Sequence, residues 1–200
     1  AQLGRILDAL EKSPHAKNTL VVFAADSGVA RGSHGLIGKQ NMYEHSLRVP
    51  LIVAGPGVAE GKRTAAMCYL FDVLPTLGKL CNVPAPKASE GQEFAAVLKD
   101  PSLGARKELV FAYRHVQRAA RDDRWKLIRY PQIDRSQLFD LKADPDETTD
   151  LSGKPEHAGK LKEMLALLAA QQKRYNDALP LTAAKVLPAE WTPPKPKKKD

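Results

Sequence analysis

Asp26, Lys39 and the loop between them carry the residues of this chain best suited to chemistry. The apolar run Thr19-Leu20-Val21-Val22-Phe23-Ala24-Ala25 ends in Asp26-Ser27-Gly28, and a glycine-rich loop follows, Gly32-Ser33-His34-Gly35-Leu36-Ile37-Gly38-Lys39. The run is short, β-branched and continuous, the pattern of a buried parallel strand. Open α/β sheets bind ligands outside the C-terminal ends of their strands, and Asp26 falls at such an end. Lys39 follows thirteen residues later. A carboxylate able to hold a metal and a lysine able to stabilise an oxyanion, presented from one strand end, suit chemistry on an anionic ester. Each residue also has a plainer reading. Asp-Ser-Gly is good turn chemistry, and a surface lysine is by default solvated. The loop is not a Walker phosphate loop. Gly32 lies one residue too far from Gly38-Lys39, and Gln40 stands where Ser or Thr is required.

The order of these motifs resembles the sulfatase family of the alkaline-phosphatase-like superfamily, in its arylsulfatase and choline-sulfatase-like members. The matching text is Asp26-Ser27-Gly28, then His34-Gly35-Leu36-Ile37-Gly38-Lys39, then Tyr43-Glu44-His45-Ser46-Leu47-Arg48-Val49-Pro50-Leu51-Ile52. It continues through Asp72-Val73-Leu74-Pro75-Thr76-Leu77, Arg124-Trp125-Lys126-Leu127-Ile128 and Leu138-Phe139-Asp140-Leu141-Lys142-Ala143-Asp144-Pro145-Asp146-Glu147. The resemblance spans roughly residues 1–170 and matches the C-terminal part of a sulfatase. It implies that Asp26 is a ligand of a divalent ion, usually calcium, and that Lys39 contacts a sulfate oxygen and the leaving alkoxide. Ser27 departs from the family's Asn or His. Its hydroxyl could coordinate directly, act through water or leave the site weaker, and a plain turn serine is an equal reading. His34 is either an acid–base or substrate-side residue, or a packing residue of the loop. Glu44 and Arg48 are four apart, the spacing of a helical ion pair.

The resemblance also implies a nucleophile that this chain does not carry. Sulfatases convert a Cys or Ser in Cys/Ser-x-Pro-x-Arg to formylglycine. Here Cys68-Tyr69-Leu70 and Cys81-Asn82-Val83 fail at the proline position, and Ser13-Pro14-His15 fails on spacing. The formylglycine is therefore expected in an upstream part, along with further acidic metal ligands. The implied activity is hydrolysis of a sulfate monoester by the complete enzyme. The implied partners are a sulfated small molecule or glycan and the missing N-terminal part. Rival readings are a phosphodiester or phosphonate hydrolase of the same superfamily, and a non-catalytic module binding sulfated glycans.

The elements that must position these residues follow from periodicity. Leu3, Ile6, Leu7 and Leu10 have helical spacing, stopped by Ser13-Pro14. Residues 19–25 and 50–55 read as strands, and 72–80 as a helix with Pro75 in its first turn. Residues 82–105 read as a linking loop with one helical turn near 94–98. Four strand candidates then follow in succession: Leu109–Tyr113, Gln117–Arg121, Trp125–Tyr130 and Gln137–Leu141. Strands without intervening helices indicate an antiparallel sheet. Leu161, Met164, Leu165, Leu167 and Leu168 mark an amphipathic helix over roughly 156–176. The expected fold class is α/β. The end of a mixed sulfatase sheet domain covers 1–105, a small antiparallel sheet packed on a C-terminal helix covers 106–180, and a Pro/Lys-rich disordered tail covers 181–200.

Composition bounds the rest. The chain has 200 residues, 43% hydrophobic and 27% charged, and a formal net charge of +8. That is enough for one core, with room for a small second layer. Much of the positive excess sits in Pro193-Pro194-Lys195-Pro196-Lys197-Lys198-Lys199, a composition that stays solvated. Without interleaved aromatics it gives no expectation of nucleic acid. No apolar run approaches a membrane span. Two cysteines, Cys68 and Cys81, make neither a disulfide framework nor a Cys-x-x-Cys metal pair. The start of the chain lacks the regions of a signal peptide. The family resemblance nonetheless implies a periplasmic or secreted protein, read here from a point inside its length.

Overall fold

The structure, a computed structural model, describes residues 2–190. Ala1 and residues 191–200, the second half of the tail expected over 181–200, lie outside the described residues. The chain divides into two compact units. The first takes the described residues up to Lys39 together with His45–Leu109. The second takes Gln40–Glu44 and the described residues from Val110 onward. The chain thus leaves the first unit directly after Lys39 and returns to it at His45.

In the first unit, α1 (Gln2–Glu11) precedes β1 (Val21–Ala24), and β1 pairs antiparallel with β4 (Leu51–Ala54), Val21 opposite Ala54 and Ala24 opposite Leu51. The expectation of a parallel, buried strand is corrected here. A continuous apolar run shows that both faces can be covered, but not the direction of its neighbour. Within this chain Phe23 is 43% exposed and Ile52 60% exposed. The apolar stripe of α1, with Leu3, Ile6 and Leu7, is likewise exposed. Between β1 and β4 a hairpin forms from β2 (Ala30–Arg31) and β3 (Ile37–Gly38).

The helix α3 (Val73–Leu80) and the short α4 (Ala95–Lys99) complete the unit. Pro75 sits in the first turn of α3, where a missing N–H costs nothing. Thr76 fixes α3 to its surroundings: its hydroxyl donates to Asp72 O at 2.6 Å and accepts from Phe94 N at 3.0 Å. Asp72 is fully buried yet charged. Arg106 meets it with two hydrogen bonds of 2.7 and 2.6 Å, and the Tyr69 and Gln92 amides add 2.8 Å each. Burial opposes the charge, but these donors outweigh it and hold the carboxyl below its usual range.

The second unit is a four-stranded sheet in the order β5-β6-β7-β8: Leu109–Tyr113, Gln117–Arg121, Trp125–Tyr130 and Arg135–Asp140. Leu109 itself groups with the first unit. The β6–β7 and β7–β8 pairings are antiparallel. The β6–β7 turn is fixed by Asp122, whose carboxylate accepts from the Arg124 and Trp125 amides at 2.8 and 2.6 Å. Alternation assigns the two faces. Ala120, Leu127 and Leu138 form one row across three strands, and the helix α5 (Ala158–Arg174) covers it with Met164 and Leu168. These five side chains are essentially inaccessible to water and form the core. The opposite face carries Lys126 and Ile128 beside Phe139 and Gln137. The strand expected at 137–141 starts two residues earlier, because Arg135 and Ser136 pair with Tyr130 and Arg129.

Beyond α5, Leu181 packs against the core and its carbonyl accepts from Arg129 Nε at 2.7 Å. The Leu187 amide donates to Gln132 O at 2.8 Å. Among the described residues no helix is long and apolar enough to cross a membrane.

Candidate functional site

Asp26 follows the end of β1, and Lys39 follows β3 directly. The hairpin brings the two together, with Lys39 Nζ 3.8 Å from Asp26 Oδ2. The Asp26 side chain is 88% exposed and that of Lys39 54% exposed. An ion pair this open contributes little to stability. The pair is instead accessible to a bound cation or anion.

The backbone around Asp26 is tightly set. Ser27 N donates to Asp26 Oδ1 at 2.8 Å, and the Ser27 hydroxyl donates to Gly28 O at 3.1 Å. Gly28 N donates to Ser46 O at 3.0 Å. A Cβ on Gly28 would lie 1.9 Å from His45 O, so only glycine allows this approach. The hairpin tip is closed by Gly32 N to Leu36 O at 2.9 Å and Gly35 N to Gly32 O at 3.0 Å. His34 lies at the tip with a left-handed backbone, φ 56°. Its ring stacks on that of His45 at 5.4 Å between centroids. This ring neighbour of His45 leaves no signal in the sequence and is visible only in three dimensions.

Hard divalent cations take six to eight oxygen ligands. Asp26 is the right donor type and is open to solvent. Ser27 is adjacent, but its hydroxyl is turned to the Gly28 carbonyl. Among the described residues no group of three or more His, Cys, Asp or Glu side chains is placed to hold a metal. The donors present therefore fit part of an oxygen-rich site, with further ligands needed from outside this set.

The expected Glu44–Arg48 pair is not formed. Helix α2 (Glu44–Leu47) is a single turn, and Glu44 turns to the second unit's sheet. Its carboxylate meets Arg121 at 2.7 Å and Lys126 at 3.1 Å, and its amide donates to Glu147 Oε2 at 2.6 Å. Lys126 Nζ also lies 2.7 Å from Glu147 Oε1. Burial works against the Glu44 charge, but Lys126 and Arg121 outweigh it and hold the carboxyl low. For Glu147 burial wins and the carboxyl is raised, with the Glu44 charge adding to the rise. Sequence reasoning missed this network. Its one signal is a lysine at an inward position of a strand, between Trp125 and Leu127-Ile128, where an unpartnered ammonium would be costly.

Comparison with known proteins shows the family of the chain. Residues 32–174 match the family described as N-sulphoglucosamine sulphohydrolase, C-terminal. The chain belongs to this family of sulfatase C-terminal regions. It is 34% identical over 188 residues to an N-acetylglucosamine-6-O-sulfatase of Bacteroides thetaiotaomicron, covering 88% of this chain and 34% of that protein. It is 33% identical over 160 residues to a choline-sulfatase of Rhizobium meliloti, covering 77% of this chain and 31% of that protein. The fold agrees. The structure of BT4656 in complex with its substrate D-glucosamine-2-N,6-O-disulfate aligns with a TM-score of 0.82 at 32% identity, covering 90% of this chain and 39% of that one. A phosphonate monoester hydrolase of Agrobacterium radiobacter aligns with a TM-score of 0.71 at 25% identity, covering 85% of this chain and 38% of that one. The chain spans about a third of the length of the curated relatives it matches.

Proposed function

We propose that this chain is the C-terminal part of a sulfatase and that, in the complete protein, it contributes Asp26 and Lys39 to hydrolysis of a sulfate monoester. The observation carrying this reading is the 3.8 Å Lys39–Asp26 pair, held open at the end of β1 in a chain of sulfatase family. Asp26 would hold a divalent cation, calcium by family precedent, with Ser27 as a neutral and weaker oxygen donor beside it. A bound calcium ion would supply Lewis-acid polarisation of the sulfate oxygens. Lys39 lies close enough to the same point to donate hydrogen bonds to a sulfate oxygen and to the leaving oxygen as charge develops there. Placing the two residues on either side of one hairpin keeps the cationic group in place before the ester arrives. His34 would line the substrate side of the loop. The nucleophile, a formylglycine, is assigned to the part of the protein outside this chain.

The substrate class we favour is a sulfated sugar or small sulfated metabolite, supported by the sulfated-glucosamine ligand of the structural neighbour. The protein would act in the periplasm or outside the cell. The test uses the complete protein: sulfate release from aryl and sugar sulfates by wild type, Asp26→Ala and Lys39→Ala. A loss of about 100-fold or more in kcat for each is expected from removal of a charge-stabilising group. Activity unaffected by Lys39→Ala would overturn the reading. A second reading, phosphonate ester hydrolysis, draws on the fold shared with the phosphonate monoester hydrolase. Paired sulfate and phosphonate ester assays on the same preparation separate the two.

A further inference from the structure

We infer that Lys126 and Glu147 are positioning residues for the loop carrying Lys39, acting through the five-residue segment Gln40–Glu44. This rests on the proposed role of Lys39. The segment begins at the residue after Lys39 and belongs to the second unit, not the first. It is held there at Tyr43 and Glu44. Asn41 is buried and its side-chain oxygen accepts from Tyr43 N at 3.2 Å. The Tyr43 hydroxyl donates to Gln137 Oε1 at 3.0 Å, and its ring lies 6.0 Å from that of Phe139. Glu44 is bound through both its amide and its carboxylate. The far end of the Lys39 loop is therefore fixed by side chains of β6, β7, β8 and the turn at Glu147.

The chemistry of the network argues for placement and not for bulk stability. Lys126 and Glu147 are essentially inaccessible to water. Buried ion pairs are commonly no more stabilising than apolar residues of the same volume, because desolvation offsets their attraction. What they supply is direction. A 2.6 Å hydrogen bond to the Glu44 amide and two cations on its carboxylate permit one position of this backbone. A hydrophobic filling would tolerate sliding. Two carboxylates face two cations, so the network is neutral only when complete.

The test uses the complete protein and two esters of different leaving-group basicity, 4-nitrophenyl sulfate and a simple alkyl sulfate. If Lys39 stabilises the leaving oxygen, Lys39→Ala should harm the alkyl ester far more than the nitrophenyl ester. Glu147→Gln keeps an acceptor for the Glu44 amide but removes the charge that holds Lys126. It should show the same selective loss, about 10- to 100-fold in kcat for the alkyl ester and severalfold at most for the nitrophenyl ester. Hydrogen exchange at the Glu44 amide should rise about tenfold or more. Glu147→Gln should add nothing further in the Lys39→Ala background. Should Glu147→Gln fail to fold, the paired change Lys126→Met with Glu147→Leu removes both charges together and leaves Glu44 on Arg121; the same selectivity is expected. Equal losses on both esters, or additive effects with Lys39→Ala, would overturn the inference while leaving Lys39 in its role. A Lys39→Ala variant without leaving-group dependence would overturn both.

Discussion

Asp26 and Ser27 are neighbours in sequence, but only Asp26 brings charge. The carboxylate is exposed beside Lys39, whereas the Ser27 hydroxyl is spent on the Gly28 carbonyl. In the complete protein, calorimetric calcium titration should show Asp26→Ala weakening affinity at least about tenfold more than Ser27→Ala. Ser27→Asn should keep or raise affinity by restoring an amide oxygen. Equal losses for the two alanine variants would contradict this order. Away from the site, Asp177 gives a pH prediction. Arg118 holds it with hydrogen bonds of 2.5 and 3.0 Å, joined by Gln172 at 3.1 Å. The Arg118 hydrogen bonds dominate and bring its pKa from an ordinary 3.8 down to about 2. A depressed carboxyl stabilises the folded state above its unfolded pKa, and that contribution fades as pH falls from 3.8 toward 2. Asp177→Asn should therefore be less stable than wild type near neutrality. The gap should close across that acid window, as followed by denaturant unfolding at a series of pH values. The roles proposed for Asp26 and Lys39 rest on residue type and order, which the sequence displays. The Arg118–Asp177 and Asp72–Arg106 pairs could not, because partners 59 and 34 residues apart leave no local pattern.

At the level of elements, the β1 exit depends on Gly28. Any side chain there would strike the His45 carbonyl, a backbone atom that cannot rotate away. Gly28→Ala should cost about 1–3 kcal/mol by overpacking and separate the chain near Asp26 from the 45–46 backbone. Thermal unfolding measures the first effect, and loss of Gly28 amide protection in hydrogen exchange reports the second. The four strands of the second unit and α5 were readable in sequence because alternation and helical spacing both address one core. Ala120, Leu127 and Leu138 line up across the sheet, and Met164 and Leu168 are one turn apart above them. The direction of β1 was not readable, because an apolar run is the same whichever way its neighbour points. The Glu44–Arg48 spacing misled for a related reason. The i,i+4 rule holds only where a helix persists, and α2 ends after one turn.

For the whole molecule, the exposed apolar residues of the first unit set the behaviour of the chain alone. Phe23 and Ile52 on the two-stranded sheet and Leu3, Ile6 and Leu7 on α1 are all substantially open. Surfaces of this kind associate. The purified 200-residue chain should form oligomers in sedimentation velocity, and a complete protein carrying the same residues should not. A monodisperse monomer at tens of micromolar would argue against this. Family and fold class were legible from motif order. The excursion of Gln40–Glu44 into the second unit was not, because nothing in the sequence marks it. That crossing also sets a timetable for synthesis. Glu44 is anchored by a residue 103 positions later, so its amide has no partner when it leaves the ribosome. At ordinary elongation rates of about 5–20 residues per second, the wait is about 5–20 s. Throughout it the Lys39 loop has been made but the Glu147 carboxylate has not, so a ribosome stalled before residue 147 carries the hairpin without that hold on Glu44.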